Sequence, residues 1–326
     1  MRENKTSQIY EKNYLTPSQR EELLKYVKRK HEIPHKFAYF NTGAKVWDSV
    51  SNDYDYDLGK RELSTLREFM QLVSAELKSN PFNILHIGSG NGIEIPIIID
   101  TLGIQRIGYY ALIDIGSELL EMAKSYGNKQ CKSLKYLSFV HDMTQPGISE
   151  IAKNLKRNGA SINLFLLIGN GAILSNNQVL TYVKETMNPE DRLLITLEIY
   201  STDREKKILE QYRLPSIINL FAQQLSLIGI NDHTPEQFEF VYDKGKSMIE
   251  IYFFAKEWIK EHPNENLKIE VTLPDKIKVF SSLRPTPNKL KEILTKKGFH
   301  IELFHFFEAE QCCGILCSVP ETRKPL

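Results

Sequence analysis

An α/β fold with a Rossmann-like parallel sheet is predicted from three features of the sequence. Short apolar strands alternate with amphipathic helices over residues 71 to 202, the pattern of a sheet covered on both faces. A glycine-rich turn, "GSGNG" at residues 88 to 92, follows the first of these strands. The chain is 326 residues long, with 41% hydrophobic and 25% charged residues, enough for two domains of ordinary globular composition.

In chain order, "PSQREELLKYVKRKH" at 17–31 carries an apolar stripe among charges, with Pro17 near the start, and predicts a helix. Residues 60–78 predict a second amphipathic helix, with Leu63, Leu66, Phe69, Met70 and Val73 on one face. The alternation then begins. "NILHIG", "IGYYALIDIG", "SLKYLSFVHDM", "SINLFLLIGNGAIL" and "DRLLITLEIY" predict five strands. Four helices are predicted between them, one opened by Ser117 as N-cap and another capped from Ser175 or Asn176. Residues 203–265, "PEQFEFVYD" included, are expected to be mostly helical, with "SMIEIYF" as a strand among them. Two further strand segments, "KIKVFSS" and "HIELFHFFEAEQCCGILCSV", flank the helix "PNKLKEILTKKG". The expected division is therefore a core of residues 71–202 and 276–326, with residues 1–70 and 203–275 as a second, mostly helical domain over the site.

The formal net charge of +1 supplies no field that recruits nucleic acid or an anionic membrane. No apolar run reaches the length of a membrane span and no secretory leader follows Met1, so a cytoplasmic protein with reduced thiols is expected. Cys312, Cys313 and Cys317 fall in an apolar strand with Cys131 far away, which is not the paired spacing of a zinc site. No metal is predicted. The sequence carries no signal for an oligomeric state.

The glycine spacing, together with the acids that follow it, points to the ligand class. A dinucleotide fingerprint sets its third glycine three residues after the second, whereas here Gly88, Gly90 and Gly92 alternate. That spacing is the form used for S-adenosylmethionine (SAM), whose amino-acid and ribose portions need bare backbone beside them. Ser89 lies within the turn. Asp114 ends the second strand, where a carboxylate can accept from ribose hydroxyls. Asp142 follows the third strand, where it can accept from the adenine amino group beside the Met143 backbone N–H. Gly169 and Asn170 end the fourth strand, near the expected position of the sulfonium methyl. A NAD-type dehydrogenase is the alternative, disfavoured by the glycine spacing and by the extra acid at Asp142.

On these residues the chain resembles the superfamily of the histidine N-alpha-methyltransferase of ergothioneine biosynthesis, which also holds fungal tryptophan-derivative N-methyltransferases. The likeness is carried by "KFAYFNTGAKVWDSV" (36–50), "YDLGKRELSTL" (56–66), "LHIGSGNGIEI" (85–95), "LFLLIGNGAILSN" (164–176) and "EQYRLPSIINLFAQQLSLIGIN" (210–231). It implies a Rossmann-like class I methyltransferase sheet, SAM as cofactor, and a small amine or amino acid as acceptor. It also implies roles: Tyr39 approaches the cofactor, Tyr56 and Tyr212 face the acceptor, and Asn170, or else Asn176, holds the acceptor's amino or carboxyl group. Two departures stand out. Asp57 replaces the second tyrosine of a Tyr-Tyr pair. "IKVFSSLRPT" (277–286) offers Ser281 and Ser282 without the carboxylate that reads an imidazole in the family, which argues against histidine as acceptor. A SAM-binding protein without transferase activity is the remaining alternative; its mark would be a blocked acceptor pocket. His86 and His141 flank the cofactor turns and read as structural.

Overall fold

The computed structural model of the chain describes residues 15–40, 42–77, 80–261 and 273–321. Residues 1–14, 41, 78–79, 262–272 and 322–326 lie outside them, and with them the N-terminal stretch of the expected second domain.

Helix α1 (Pro17–Lys30) opens on a capping box in which the Thr16 side chain accepts from the Gln19 amide and the Gln19 side chain accepts from the Thr16 amide. A short turn of tighter helix, His35–Tyr39, leads into α2 (Gly43–Ser51). Helix α3 (Asp57–Glu76) begins three residues earlier than its apolar stripe predicts. The core sheet follows as β1 (Phe82–Ile87), α4 (Ile95–Leu102), β2 (Ile107–Asp114), α5 (Ser117–Gln130), β3 (Tyr136–Val140) and α6 (Ile148–Asn158). It continues through β4 (Ile162–Ile168), α7 (Gly171–Leu174), α8 (Asn177–Thr186) and β5 (Arg192–Glu198). Gly116, not Ser117, takes the N-cap position of α5, because its amide is drawn to the Asp114 carboxylate at 3.0 Å. Asn176 caps α8.

The excursion after β5 contains α9 (Glu205–Gln211), α10 (Pro215–Ser226), β6 (Phe238–Asp243), β7 (Met248–Phe253), α11 (Ala255–Glu261) and β8 (Ile277–Leu283). The chain returns to the core as α12 (Pro287–Lys296), β9 (His300–Phe307) and β10 (Cys312–Ser318). Its exit and re-entry touch: the Tyr200 amide donates to the Pro285 carbonyl at 3.1 Å.

The large sheet has the order β3-β2-β1-β4-β5-β10-β9. β1 to β5 run parallel, and β10 is antiparallel to both neighbours. The order reverses between β1 and β4, so the glycine turn after β1 opens at the switch point where ligands of such sheets bind. Strand residues alternate between two cores: Leu85, Ile113 and Leu167 face α6, α8 and α12, while Ile84, Leu112 and Leu166 face α3, α4 and α5.

Three expectations change. "PEQFEFVYD" forms strand β6, since the period-two alternation of Phe238, Phe240 and Tyr242 suits the antiparallel partner β7. β8, expected in the core, pairs with β7, so the small sheet β6-β7-β8 belongs with the excursion. Its edge also receives the N-terminal segment, through Ile33 N–H to Lys278 C=O at 2.8 Å and Lys278 N–H to His31 C=O at 2.9 Å. α3, expected in the second domain, packs Leu66, Phe69, Met70 and Val73 on the large sheet. Phe69 occupies the space where Gly314 of β10 lacks a side chain. Gly314→Ala is expected to destabilise the fold by about 1–3 kcal/mol through overpacking, read as a lowered denaturation midpoint; an unchanged midpoint would mean that Phe69 has room to move.

Candidate active site

One cavity of about 850 Å³ runs along the carboxyl ends of the parallel strands and under the N-terminal segment and the excursion, within the size range of small-molecule sites. At its floor the glycine turn is tied to β2: the Gly88 and Ser89 amides both donate to the Ile113 carbonyl, at 2.8 and 3.2 Å. Gly88 and Gly90 line the cavity with φ of +66° and +52°, a conformation that costs a side-chain-bearing residue. A Cβ on Gly88 would stand 2.8 Å from Asn170 Oδ1, and one on Gly90 3.2 Å from the indole nitrogen of Trp47. Gly92 and Ser89 do not line the cavity. Gly92 instead lets α5 approach, its absent Cβ falling 2.9 Å from Ala123, and Ser89 is buried beneath the turn.

The expected acids converge on the same cavity. Asp114, 7% exposed, accepts from Gly90 N–H and Gly116 N–H, both at 3.0 Å. Burial raises its pKa against these donors. Asp142 follows β3 and accepts from the Thr144 amide at 2.9 Å and hydroxyl at 2.6 Å. Its other oxygen receives Lys36 Nζ at 2.5 Å, and the same ammonium reaches Glu22 at 2.7 Å. Burial opposes ionisation of Asp142, but the Lys36 ammonium and the Thr144 donors outweigh it and hold the carboxyl below its ordinary range. Met143 and Gly169 line the wall between.

Tyr39 closes the cavity from above. Its hydroxyl lies 2.8 Å from Nε2 of His35, its ring meets Trp47 edge to face, and its phenol is pushed up by burial and then by the charge of Asp114. Burial holds His35 down to about 3, so its ring is neutral.

Tyr56, Tyr212 and Asn170 line the other half. The Asn170 side-chain amide donates to the Ile87 carbonyl at 2.9 Å, fixing it between β1 and β4. Asn176, the alternative, also borders the cavity while capping α8. Tyr212 is set by a buried ionic chain. Arg284 donates to the Tyr212 hydroxyl at 2.9 Å, to Ser282 Oγ at 2.7 Å and to Glu198 Oε2 at 2.7 Å. Glu198 Oε1 accepts from Arg61 at 2.6 Å, and Arg61 reaches Asp57 at 2.9 Å. Burial pushes the Tyr212 phenol up to about 12 and, with the charge of Glu62, holds that of Tyr56 well above its usual value. Both hydroxyls are therefore protonated donors at neutral pH.

Asp57 is not among the cavity's lining residues; its carboxylate is spent on Arg61 at the rim. The strand beside 277–286 carries a carboxylate. Glu250 of β7 pairs directly with Ser281 of β8, and both border the cavity. Glu250 is buried and held by the Tyr252 hydroxyl at 2.8 Å and by Lys246 at 3.2 Å. A partner brought by cross-strand register leaves no trace in the spacing of one segment. His86 is 3.1 Å from the Tyr110 hydroxyl, and burial holds it down to about 3, consistent with a structural role. Lys36, Trp47, Glu62, Glu94, Glu198, Glu250 and Arg284 are the site residues that the sequence reading passed over.

Among the described residues no helix is long and apolar enough to cross a membrane, and no three His, Cys, Asp or Glu side chains converge as metal ligands. Residues 19–319 match a family model described as histidine-specific methyltransferase, SAM-dependent. Comparison with curated proteins found no match. Among solved structures the chain is similar to a SAM-dependent methyltransferase from Clostridium acetobutylicum, with 13% identity and a TM-score of 0.46 over 85% of this chain and 97% of that one. It is also similar to magnesium protoporphyrin IX methyltransferase from Synechocystis, solved with bound S-adenosylhomocysteine (SAH), with 10% identity and a TM-score of 0.47 over 86% and 95% of the two chains.

Proposed function

The chain belongs to the family of histidine-specific, SAM-dependent methyltransferases, and on that footing we propose that it methylates the nitrogen of an amino acid or small amine. When bound, SAM supplies a methyl group already activated on sulfur. The residues present fit that cofactor: bare backbone at Gly88 and Gly90, Asp114 and Asp142 beyond successive strands, and Tyr39 above them. Tyr39, Gly88, Gly90, Asp114, Asp142 and Met143 would hold it, with Gly169 beside the reacting end.

The acceptor's place is the opposite half of the cavity, and the observation that carries the reading is the Glu250–Ser281 pair facing it. A buried carboxylate beside a hydroxyl suits a polar, nitrogen-bearing side chain, which restores histidine to the candidate acceptors. Asn170 and the protonated Tyr56 and Tyr212 hydroxyls orient the acceptor's amino-acid end. The chain's work is to align donor and nucleophile and to exclude water, catalysis by orientation, and the nucleophilic amine must arrive or become unprotonated. The polar groups Tyr56, Asn170, Tyr212, Glu250 and Ser281 on one cavity support transfer over mere SAM binding.

The test is SAH release by purified protein with SAM and a panel of amino acids and biogenic amines, histidine included. Turnover on one of them is the expected result. Silence across the panel with SAM binding intact would refute the small-amine reading. On the acceptor so found, Tyr56→Phe is expected to raise KM by about tenfold, the loss of one hydrogen bond of about 1–1.5 kcal/mol, with a smaller change in kcat. A fall in kcat alone would instead place Tyr56 at the transition state.

A further inference from the structure

Two carboxyl groups of the cavity wall have no role in the reading above. Glu62 on α3 and Glu94 at the head of α4 both border the cavity. Oε1 of Glu62 and Oε2 of Glu94 are buried and accept no hydrogen bond among the described residues. The nearby guanidinium groups of Arg61 and Arg284 are committed to Glu198. Buried carboxylate oxygens without a partner are costly, so a site that keeps two of them is arranged for a cation.

The sheet order says where that cation lies. Asp142 follows β3, Asp114 ends β2, the glycine turn and Glu94 follow β1, and Gly169 follows β4, so these groups stand in a row across four adjacent strands. Glu62 reaches the end of the row: its Oε2 occupies the space where a Cβ on Gly169 would fall. With the nucleoside over Asp142 and Asp114, the orientation on which this inference rests, the sulfur and the amino-acid tail extend over β1 and β4. The tail carries an ammonium. We propose that Glu62 and Glu94 together bind the α-ammonium of the cofactor's methionine portion.

The electrostatics agree. Burial pushes both carboxyls up to about 7; for Glu62 the nearby Arg284 and Arg61 oppose this, and Glu198 and Glu94 add to it, while for Glu94 a hydrogen bond from its own backbone N–H opposes it. The other titratable neighbours are the Tyr56 and Tyr212 phenols and the Cys312 thiol beside Glu62, and the Tyr110 phenol beside Glu94. An arriving ammonium favours the ionised carboxylates and lowers their pKa values. Binding therefore releases protons near pH 7, and affinity rises as pH rises through that value.

The experiment is calorimetric titration of wild type, Glu62→Gln and Glu94→Gln with SAH and with 5′-methylthioadenosine, which keeps nucleoside and sulfur but lacks the amino-acid tail. Each variant is expected to bind SAH about tenfold or more weakly, the loss of a hydrogen bond to a charged group, with its 5′-methylthioadenosine affinity unchanged. Wild type is expected to release protons on binding SAH but not on binding 5′-methylthioadenosine, seen as a dependence of the heat on buffer ionisation enthalpy. Parallel weakening for both ligands would make the pair structural and overturn the proposal. So would unaltered SAH affinity; if turnover were then lost in Glu62→Gln, that carboxylate would act on the acceptor's proton. A wild type that bound neither ligand would overturn the cofactor orientation together with this inference.

Discussion

Glu198→Ala is expected to lower the unfolding free energy by about 3–5 kcal/mol, the loss that follows when one partner of a buried ion pair is removed. Glu198 is 1% exposed and Arg284 2%. Glu198 sits between two guanidinium groups, Arg61 at 2.6 Å and Arg284 at 2.7 Å. Its removal leaves Arg284 hydrogen-bonded to neutral groups only, Tyr212, Ser282 and a carbonyl, with Glu62 as the nearby acid. The chain of contacts also spans the molecule, from α3 through β5 to the end of β8 and Tyr212 of the excursion, so its collapse loosens the acceptor side of the cavity. Denaturant unfolding monitored by circular dichroism reads the loss. A change under 1 kcal/mol would mean that water reaches both arginines once the carboxylate is gone.

Asp114→Asn is expected to weaken SAH binding by about 30- to 100-fold, some 2–3 kcal/mol at the level of charged hydrogen bonds. Both carboxylate oxygens accept backbone N–H groups, from Gly90 and from Gly116. A side-chain amide can accept at only one end; its NH2 would confront a second donor. The substitution therefore removes the charge at the proposed ribose position and also distorts the turn that Asp114 holds. Because burial raises the Asp114 pKa, wild-type affinity should decline, as pH is lowered, sooner than an exposed aspartate would give. Titration calorimetry with SAH measures both effects. A Kd within twofold of wild type would remove Asp114 from the cofactor contacts.

The parts of this fold legible from sequence are those whose signals are local. Strand β1, the glycine turn and the acids after β2 and β3 were expected where they stand because each rests on a few consecutive residues. The small sheet was partly missed because "PEQFEFVYD" is short and its three alternating aromatics compete with polar neighbours that suit a helix. Glu198 and Arg284 stand at strand ends, and only the meeting of α3, β5 and β8 makes them a buried pair. Glu250 was invisible for a similar reason: its relation to Ser281 is one of antiparallel register. Glu62 lies in the first half of an amphipathic helix, where nothing local marks an acid as buried, and only the fold sets it against Gly169.

The hydrogen bond from Tyr200 to Pro285 has a consequence for how such a protein diversifies. Residues 201–284 leave and rejoin the large sheet at one point, and inserting a long segment between joined ends costs only logarithmically in its length. The excursion behaves as a cassette. Tyr212, Glu250, Ser281 and Arg284 all travel within it, whereas Gly88, Asp114 and Asp142 stay with the sheet. On the proposed function, drift or exchange within the cassette would change which acceptor is read while the residues proposed for the donor are inherited intact.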